Sequence, residues 1–495
     1  MRTNAIAGSR RVTPDKKGEA AVSEKVFELD RRELLALAGA LGLTLATGGC
    51  EQLLEAIANR PTRRNIASLA PNDPILQSYR AAISAMRALP SSDQRNWMNQ
   101  ADIHFNHCSH GNWFILPWHR AYLLYFERIC QKLSGNAQFA IPYWNWAEHP
   151  TVPDVFYASG DVLNDTTKIL PQGTPIAAEF VSHSVLEGIL EETNFQVFGS
   201  YKSTTQQGPG GTGRIEGTPH NNVHTSIGGH MGAFHSPLDP IFWTHHAMLD
   251  FCWVDWNFNR QNQNPDDQVW YNLHFTDFVD ENNSPVDVSV AITQLFPIFN
   301  YQYEPSQIGT SIAQLQVRTQ AQADALKAFV QRGGNAEIPI QARFRFAQPT
   351  AVTVGRAAPV QLKVERGVLE RALAAAGTGR VLLTLQQVEP PAAADFFVRV
   401  FVNAPGPVSA DTPISDPHYA GSFAFFLDAT AHQAMAMGRS GFVVDVSETL
   451  RRIGPTDTLN LQFVAVPYPG RLVQARSFSI SGLELAVTEP QKLPS

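Results

Sequence analysis

The stretch "CSHGNWFILPWHRAYLLYFE", Cys108 to Glu127, decides the reading of this chain. Two histidines, His110 and His119, sit nine residues apart among Trp, Phe, Leu and Pro, with a cysteine two residues before the first. Imidazoles walled in by that much apolar bulk are placed to hold something. The run from His119 to Gly135 reads as a helix that stops at its glycine.

Working outward, histidine remains the informative residue. Twelve of the fifteen histidines fall between His104 and His246. His104 lies just upstream in "QADIH". In "EGTPHNNVHTSIGGHM" His220 and His224 are four apart, which on a helix puts both rings on one face. "DPIFWTHHAMLD" adds His245 and His246 on an aromatic helix. These give two sets of three: His104, His110, His119, and His220, His224, His246. No cysteine or carboxylate cluster accompanies them. All-imidazole ligation suits copper or zinc better than calcium, magnesium or manganese.

The whole chain frames this. At 495 residues it is expected to fold as more than one domain. Its net charge of −7, without a basic block in the folded part, argues against nucleic acid as a partner. Four cysteines are too few for a disulfide scaffold. Residues 1–50 read as a twin-arginine-type export signal: Arg31 and Arg32 precede an uncharged stretch from Leu34 to Gly49, too short for a comfortable membrane span. Cys50 after "TGG" is a candidate lipid anchor. The alternative for this segment is an ordinary amphipathic helix. Export to the periplasm or outside is therefore expected, with membrane contact only through the signal or the lipid.

Helices are expected over Asp73–Leu89, Ser91–His104, His119–Gly135, "HNNVHTSI" and "DPIFWTHHAMLDFCWVDWN". Most of Ala147 to Gly213 reads as irregular, and "QQGPGGTG" as a loop. From Ile338 short alternating runs such as "VQLKVE", "FFVRVFVN" and "LNLQFVAV" recur between turn signals, the pattern of a β-sandwich or barrel. The expected organisation is a mainly α domain over 60–303, a linker with one helix over 304–337, and an all-β sandwich-like domain over 338–495.

"HGNWFILPWHRAYLLYFE" and "PHNNVH…GGHM…DPIFWTHHAMLD" closely resemble the two copper-binding motifs of the tyrosinase, catechol oxidase and haemocyanin superfamily, and "NYQYE" resembles the Tyr-x-Tyr pair that closes its catalytic domain, here Tyr301 and Tyr303. The resemblance implies a four-helix bundle holding two copper ions, with O2 as co-substrate. It assigns copper A to His104, His110 and His119, and copper B to His220, His224 and His246. The spacing from His104 to His110 is shorter than in relatives, and His107 is the alternative first ligand. "Cys-x-His" resembles the pair that forms a thioether in some members, here Cys108 to His110; the alternative is a buried free thiol. His245 reads as a packed neighbour of the ligands, and His230 and His235 as cavity lining or rim. Asp250, one turn after His246, either anchors a ligand helix or makes a surface salt bridge.

By the same resemblance, Glu216 and Asn221 hold a water that accepts a phenol's proton, which a phenol of pKa near 10 must lose to bind as phenolate. The alternative makes them a helix-end carboxylate and a polar filler. The gate position falls on Ala233 or Phe234. The β-domain resembles, more faintly, the C-terminal domain of plant polyphenol oxidases, which caps the site and keeps the enzyme latent; the sequence names no plug residue. Release of that domain is expected by cleavage in "QRGGNAE". The implied function is a polyphenol oxidase turning o-diphenols into o-quinones and hydroxylating monophenols, with small phenols as its partners. An o-aminophenol oxidase, a haemocyanin-like oxygen binder and, more remotely, a dizinc hydrolase are the alternatives. Oligomeric state is not legible.

Overall fold

The structure, a computed structural model, describes residues 57–489 apart from 206, 207, 209, 316, 318, 336, 348, 375–378, 390, 392, 394, 427–439 and 474–476. The segment read as an export signal, Cys50 included, lies outside the described residues.

The first half is helical. α1 (Pro74–Ala88) starts where its sequence says it should: Asp73 accepts from Ile75 N and Pro74 takes the first position, where its missing N–H costs nothing. α2 (Trp97–His107) begins later than the expected Ser91. Asp93 spends its carboxylate on Arg95, and Asn96 caps the helix through Met98 N. α3 (Ile115–Ser134) begins four residues before the expected start, because Pro117 falls in its first turn and is tolerated there, and it ends on Gly135 at φ 73°. Almost all of α3 is buried, so it is the axis of this half.

The segment carrying His220 and His224 is built differently. Glu216–His220 forms one wide π-helical turn that runs into the short α4 (Asn221–Ile227). Pro219 lacks the N–H that an α-turn would use here, and the Asn221 N–H bonds instead to the Glu216 carbonyl. Gly228 and Gly229, at φ 68° and 62°, turn the chain out of α4. Gly229 packs so closely on the Thr167 carbonyl that no side chain fits. α5 (Ile241–Val254) is buried on every face.

The expected linker is docked rather than free. It holds a hairpin (Ser306–Ile308 with Ser311–Ala313) and α6 (Gln320–Arg332), whose Ala323, Phe329 and Val330 are buried. The stretch expected to be cleaved is also tied down: Gly334 N donates to Asn264 O at 2.6 Å and Asp266 N to Gly334 O at 2.9 Å. Cleavage there requires local opening first.

The second half is the β-sandwich. Its strands are β1 (Ile340–Phe346), β2 (Thr350–Thr353), β3 (Ala358–Lys363), β4 (Val381–Glu389), β5 (Phe396–Val402), β6 (Tyr419–Ala424), β7 (Ser440–Asp445), β8 (Thr458–Pro467) and β9 (Ser477–Thr488). One sheet runs β7-β4-β9-β1, with β2 also on β9; the other runs β6-β5-β8-β3. The alternation in "APVQLK" is the burial pattern of β3, apolar inward and polar outward. Between the sheets lies a core of its own, including Leu383, Val398, Phe463 and Leu485. A few residues of this half, Phe397, Ala424, Phe426 and Tyr468, join the core of the helical half instead. Among the described residues no helix is long and apolar enough to cross a membrane.

Candidate metal centre

α2, the loop after it, α3, the π-turn with α4, and α5 bring six imidazoles to one place. The rings of His104, His110 and His119 form a triangle with centroids 5.1, 5.2 and 5.5 Å apart. Those of His220, His224 and His246 form a second, at 4.6, 5.1 and 5.3 Å. The triangles face each other: His119 stacks on His246 at 4.3 Å, and His110 meets His220 at 5.1 Å.

Hydrogen bonds fix which nitrogen is free in four of the six rings. Nδ1 of His104 lies 2.6 Å from Phe234 O, Nδ1 of His119 2.8 Å from Ile115 O, and Nδ1 of His224 2.8 Å from Met231 O. Nδ1 of His220 lies 2.8 Å from Asn221 Oδ1. Each acceptor demands a protonated Nδ1, which leaves the lone pair on Nε2. The Nε2 atoms of His104, His110, His119 and His220 are buried without a partner, and those of His224 and His246 are 3.1 Å from each other. Burial holds the rings neutral, His104 down to about 3 and His220 to about 4. Buried polar atoms without partners are costly; six neutral imidazoles with inward lone pairs are a donor set that fits two metal ions of the copper or zinc type.

The other histidines separate from this set. His107 has a half-exposed side chain and pairs with Asp277 at 3.3 Å, away from the triangles. His245 is buried beside them, but its Nδ1 accepts from Trp146 Nε1 at 3.2 Å, so its lone pair is spent. His230 and His235 do not line the cluster. They pair with Asp165 at 2.5 Å and Asp102 at 3.0 Å, and both are partly exposed. Cys108 Sγ stands 3.8 Å from His110 Nδ1, buried, and the thiol and ring share one wall of the site.

Asp250 is no surface salt bridge. It is buried and accepts from Arg120 Nε at 2.5 Å, Arg63 Nη1 at 3.1 Å, and the hydroxyls of Tyr301 and Tyr303 at 2.7 Å each. Burial alone would raise its pKa; Arg120 and Arg63 win and hold it below the ordinary value. Arg63 also donates to Glu127 on α3 at 3.0 Å. This network ties α3 to α5, the two long helices that carry His119 and His246.

Glu216 is buried, accepts from Gly111 N at 2.7 Å, and bonds Ser200 Oγ. Burial pushes it up to about 8. Asn221 does not meet it directly: its Oδ1 faces His220 and its Nδ2 donates to Ala424 O at 3.4 Å. A small cavity of about 20 Å³ bordered by His119, Glu216, His220 and His246 has room for about one water.

Over the triangles sits Phe234, 1% exposed, its ring 5.5 Å from His110; Ala233 beside it is only partly buried. Above it comes the residue the sequence could not name. Phe426, at the end of β6 in the sandwich, places its ring 4.7 Å from His224, 5.1 Å from His110 and 5.0 Å from Phe234. No local signal marks it, since its meaning comes from a contact more than two hundred residues away in the chain.

Comparisons with known proteins place this geometry. The family model described as the common central domain of tyrosinase matches in two overlapping stretches, residues 82–196 and 172–259. A tyrosinase of Hahella sp. is 29% identical over 307 residues, covering 50% of this chain and 63% of that protein. The chloroplastic catechol oxidase B of Solanum tuberosum is 32% identical over 268 residues, 45% of each. The match thus spans 63% and 45% of the length of these two relatives. Solved structures share the fold of both halves: latent apple tyrosinase at TM-score 0.60, 20% identity, covering 87% of this chain and 97% of that one, and a latent aurone synthase at 0.64, 21%, 88% and 90%.

Proposed function

We propose that this chain, which carries the common central domain of tyrosinase, is a type-3 copper polyphenol oxidase. It oxidises o-diphenols to o-quinones with molecular oxygen and hydroxylates monophenols. The observation that carries the reading is the pair of facing imidazole triangles, in which four of the six Nε2 atoms are buried without a partner. His104, His110 and His119 would hold one copper ion, and His220, His224 and His246 the other. The two ions together supply the oxygen chemistry.

The remaining work belongs to the protein. The apolar wall of Phe234, Phe242 and Trp118 around the imidazoles excludes water. A phenol arriving past Phe234 must shed its proton, and Glu216 with Asn221 supports a water that accepts it. The cavity beside Glu216 supplies a place for such a water. Cys108 and His110 are joined by a thioether in the mature centre. The sandwich is a lid, with Phe426 in the pocket mouth, so the full chain is latent until the lid is displaced. The N-terminal segment exports the folded protein, with Cys50 a lipid attachment point.

One observation favours a second reading. A pocket closed by Phe426 also suits a reversible oxygen carrier, because the difference between carrier and oxidase is whether a phenol gets in. Metal analysis joined to oxygen uptake decides. Two coppers per chain, with uptake on a diphenol and a monophenol that rises severalfold under mild detergent, support the oxidase. Two coppers with reversible oxygen binding and no turnover in detergent would make it a carrier. Zinc with no uptake would overturn both.

A further inference from the structure

The sandwich touches the helical half at more than the pocket mouth. The π-turn and α4, residues 216–227, receive a row of hydrogen bonds from it. Thr218 Oγ1 donates to Ser422 O at 3.3 Å, and Asn221 Nδ2 to Ala424 O at 3.4 Å. The Tyr468 hydroxyl stands 2.5 Å from Thr225 Oγ1 and 3.2 Å from Asn222 Oδ1. Thr225 Oγ1 also lies 2.7 Å from Asn221 O, and either hydroxyl can donate in the Tyr468–Thr225 pair; toward Asn222 Oδ1 the donor is Tyr468. Arg471 Nη2 reaches the carbonyls of Thr225 and Ser226, the last turn of α4. Tyr468 and Thr225 are both buried, so these are core contacts rather than a wet rim. A seven-residue helix behind a π-turn has little rigidity of its own.

We propose that the sandwich holds the His220–His224 segment as a clamp, with Tyr468 and Arg471 as its positioning residues, separately from its action as a plug through Phe426. The hydroxyl of Tyr468 and the guanidinium of Arg471 supply donors to groups on α4 and at its C-terminal end, where the last carbonyls have no partner within the helix. Phe426 packs on the rings of His110, His220, His224 and Phe234, whereas Tyr468 and Arg471 hold α4 by hydrogen bonds. A lid that loses its clamp frees the segment carrying two of the six imidazoles, while the other four stay on α2, α3, α5 and the loop before α3. The proposal rests on the dicopper reading for its consequence in catalysis, but not for its test.

The test is deuterium uptake in the metal-free full chain, followed in peptides spanning 217–228 and, as an internal control, in α3. The double variant Tyr468→Phe/Arg471→Ala should raise exchange in 217–228 about tenfold with α3 unchanged. Tyr468→Phe alone, which keeps the ring against Phe397 at 5.4 Å, should give a smaller rise and guards against a folding failure of the double variant. Arg471→Lys in the Tyr468→Phe background, which keeps a donor for the Thr225 and Ser226 carbonyls, should hold exchange at the level of Tyr468→Phe alone. Phe426→Ala, which removes a ring packed on His220 and His224 but keeps the Tyr468 and Arg471 hydrogen bonds, should raise exchange in 217–228 less than the double variant. Parental exchange in both clamp variants overturns the proposal, as does an equal rise in Phe426→Ala. Because no metal is present, neither outcome depends on whether the chain oxidises phenols.

Discussion

The two imidazole triangles are alike in shape and unlike in support. The triangle of His104, His110 and His119 has His104 on α2 and His119 on the twenty-residue α3, with His110 in the loop between them; the burial of α3 and its Asp250 network are internal to the helical half. The triangle of His220, His224 and His246 has only His246 on a long helix. His220 and His224 ride on a π-turn and seven residues of helix that lean on the sandwich. One half of the centre is rigid by construction, the other by contact. A regulatory domain can thus act on the second half without endangering the first.

The largest expected effect breaks the internally held half. Asp250→Ala would leave Arg63 and Arg120 buried without their shared carboxylate, both of them essentially inaccessible to solvent. Removing one partner from a buried ion pair costs about 3–5 kcal/mol, so the variant should lose most of its folded population or melt far below the parent. Thermal unfolding by circular dichroism checks this. A variant that melts with the parent would mean that the network is dispensable and that the contrast between the triangles is wrong.

Next comes the plug. Phe426→Ala removes the ring against His110, His224 and Phe234 and should raise diphenol oxidation severalfold in the full chain, with metal content unchanged. Parent-like turnover, with the parent still activated by detergent, would place the block elsewhere in the lid. A third effect is chemical. If Cys108 and His110 are joined, the copper-loaded chain should yield a peptide carrying both residues that is lighter by two hydrogens, and Cys108 should resist alkylation. Alkylatable Cys108 in fully active protein would leave the first triangle stiff through its helices alone.

What the sequence revealed follows the same division. Five of the six imidazoles were legible because each lies in a short local motif: His220 with His224, His246 in "DPIFWTHH", His119 in the first turns of α3 and His110 in the loop just before it. Here a local pattern and a local structure coincide. The alternating runs of the sandwich were legible for the same reason. Choices that depend on packing were not. The sequence left His104 and His107 both open, and only the path of α2 turns one inward and the other toward Asp277. It left Ala233 and Phe234 open because the loop length hid which faces the rings. It could say nothing of Phe426 or Tyr468, whose partners in the helical half lie about two hundred residues or more away, as in the contacts of Phe426 with His224 and of Tyr468 with Thr225. It also read the linker as free because polar, glycine-bearing residues look exposed, whereas Gly333 and Gly334 are needed for their close approach to Asp266 and Gln263.

The smallest effect sharpens the comparison at the one element both triangles share. The loop from Gly228 to Ser236 supplies Met231 O to His224 and Phe234 O to His104, so it orients one ring in each triangle. It is pinned at its near end by His230, whose N–H donates to Thr167 Oγ1 at 2.9 Å and whose ring meets Asp165 at 2.5 Å. The hydrogen bond to Asp165 raises the His230 pKa above its ordinary value, and burial only partly opposes it. The sign follows. A raised pKa means that the folded state binds the proton more tightly, so this tie is fully present below the ordinary histidine value near 6.5. It is lost as pH rises through the higher folded value. The ring is more than a third exposed, so salt screens the pair and the effect stays small. Deuterium uptake by the loop, corrected for the intrinsic pH dependence of exchange, should therefore rise modestly from pH 6 toward 8, less so at high salt. Asp165→Asn should show fast uptake across that range with no such step. The same pH step in Asp165→Asn as in the parent would show that His230 does not pin the loop, and that the two triangles share it without sharing a switch.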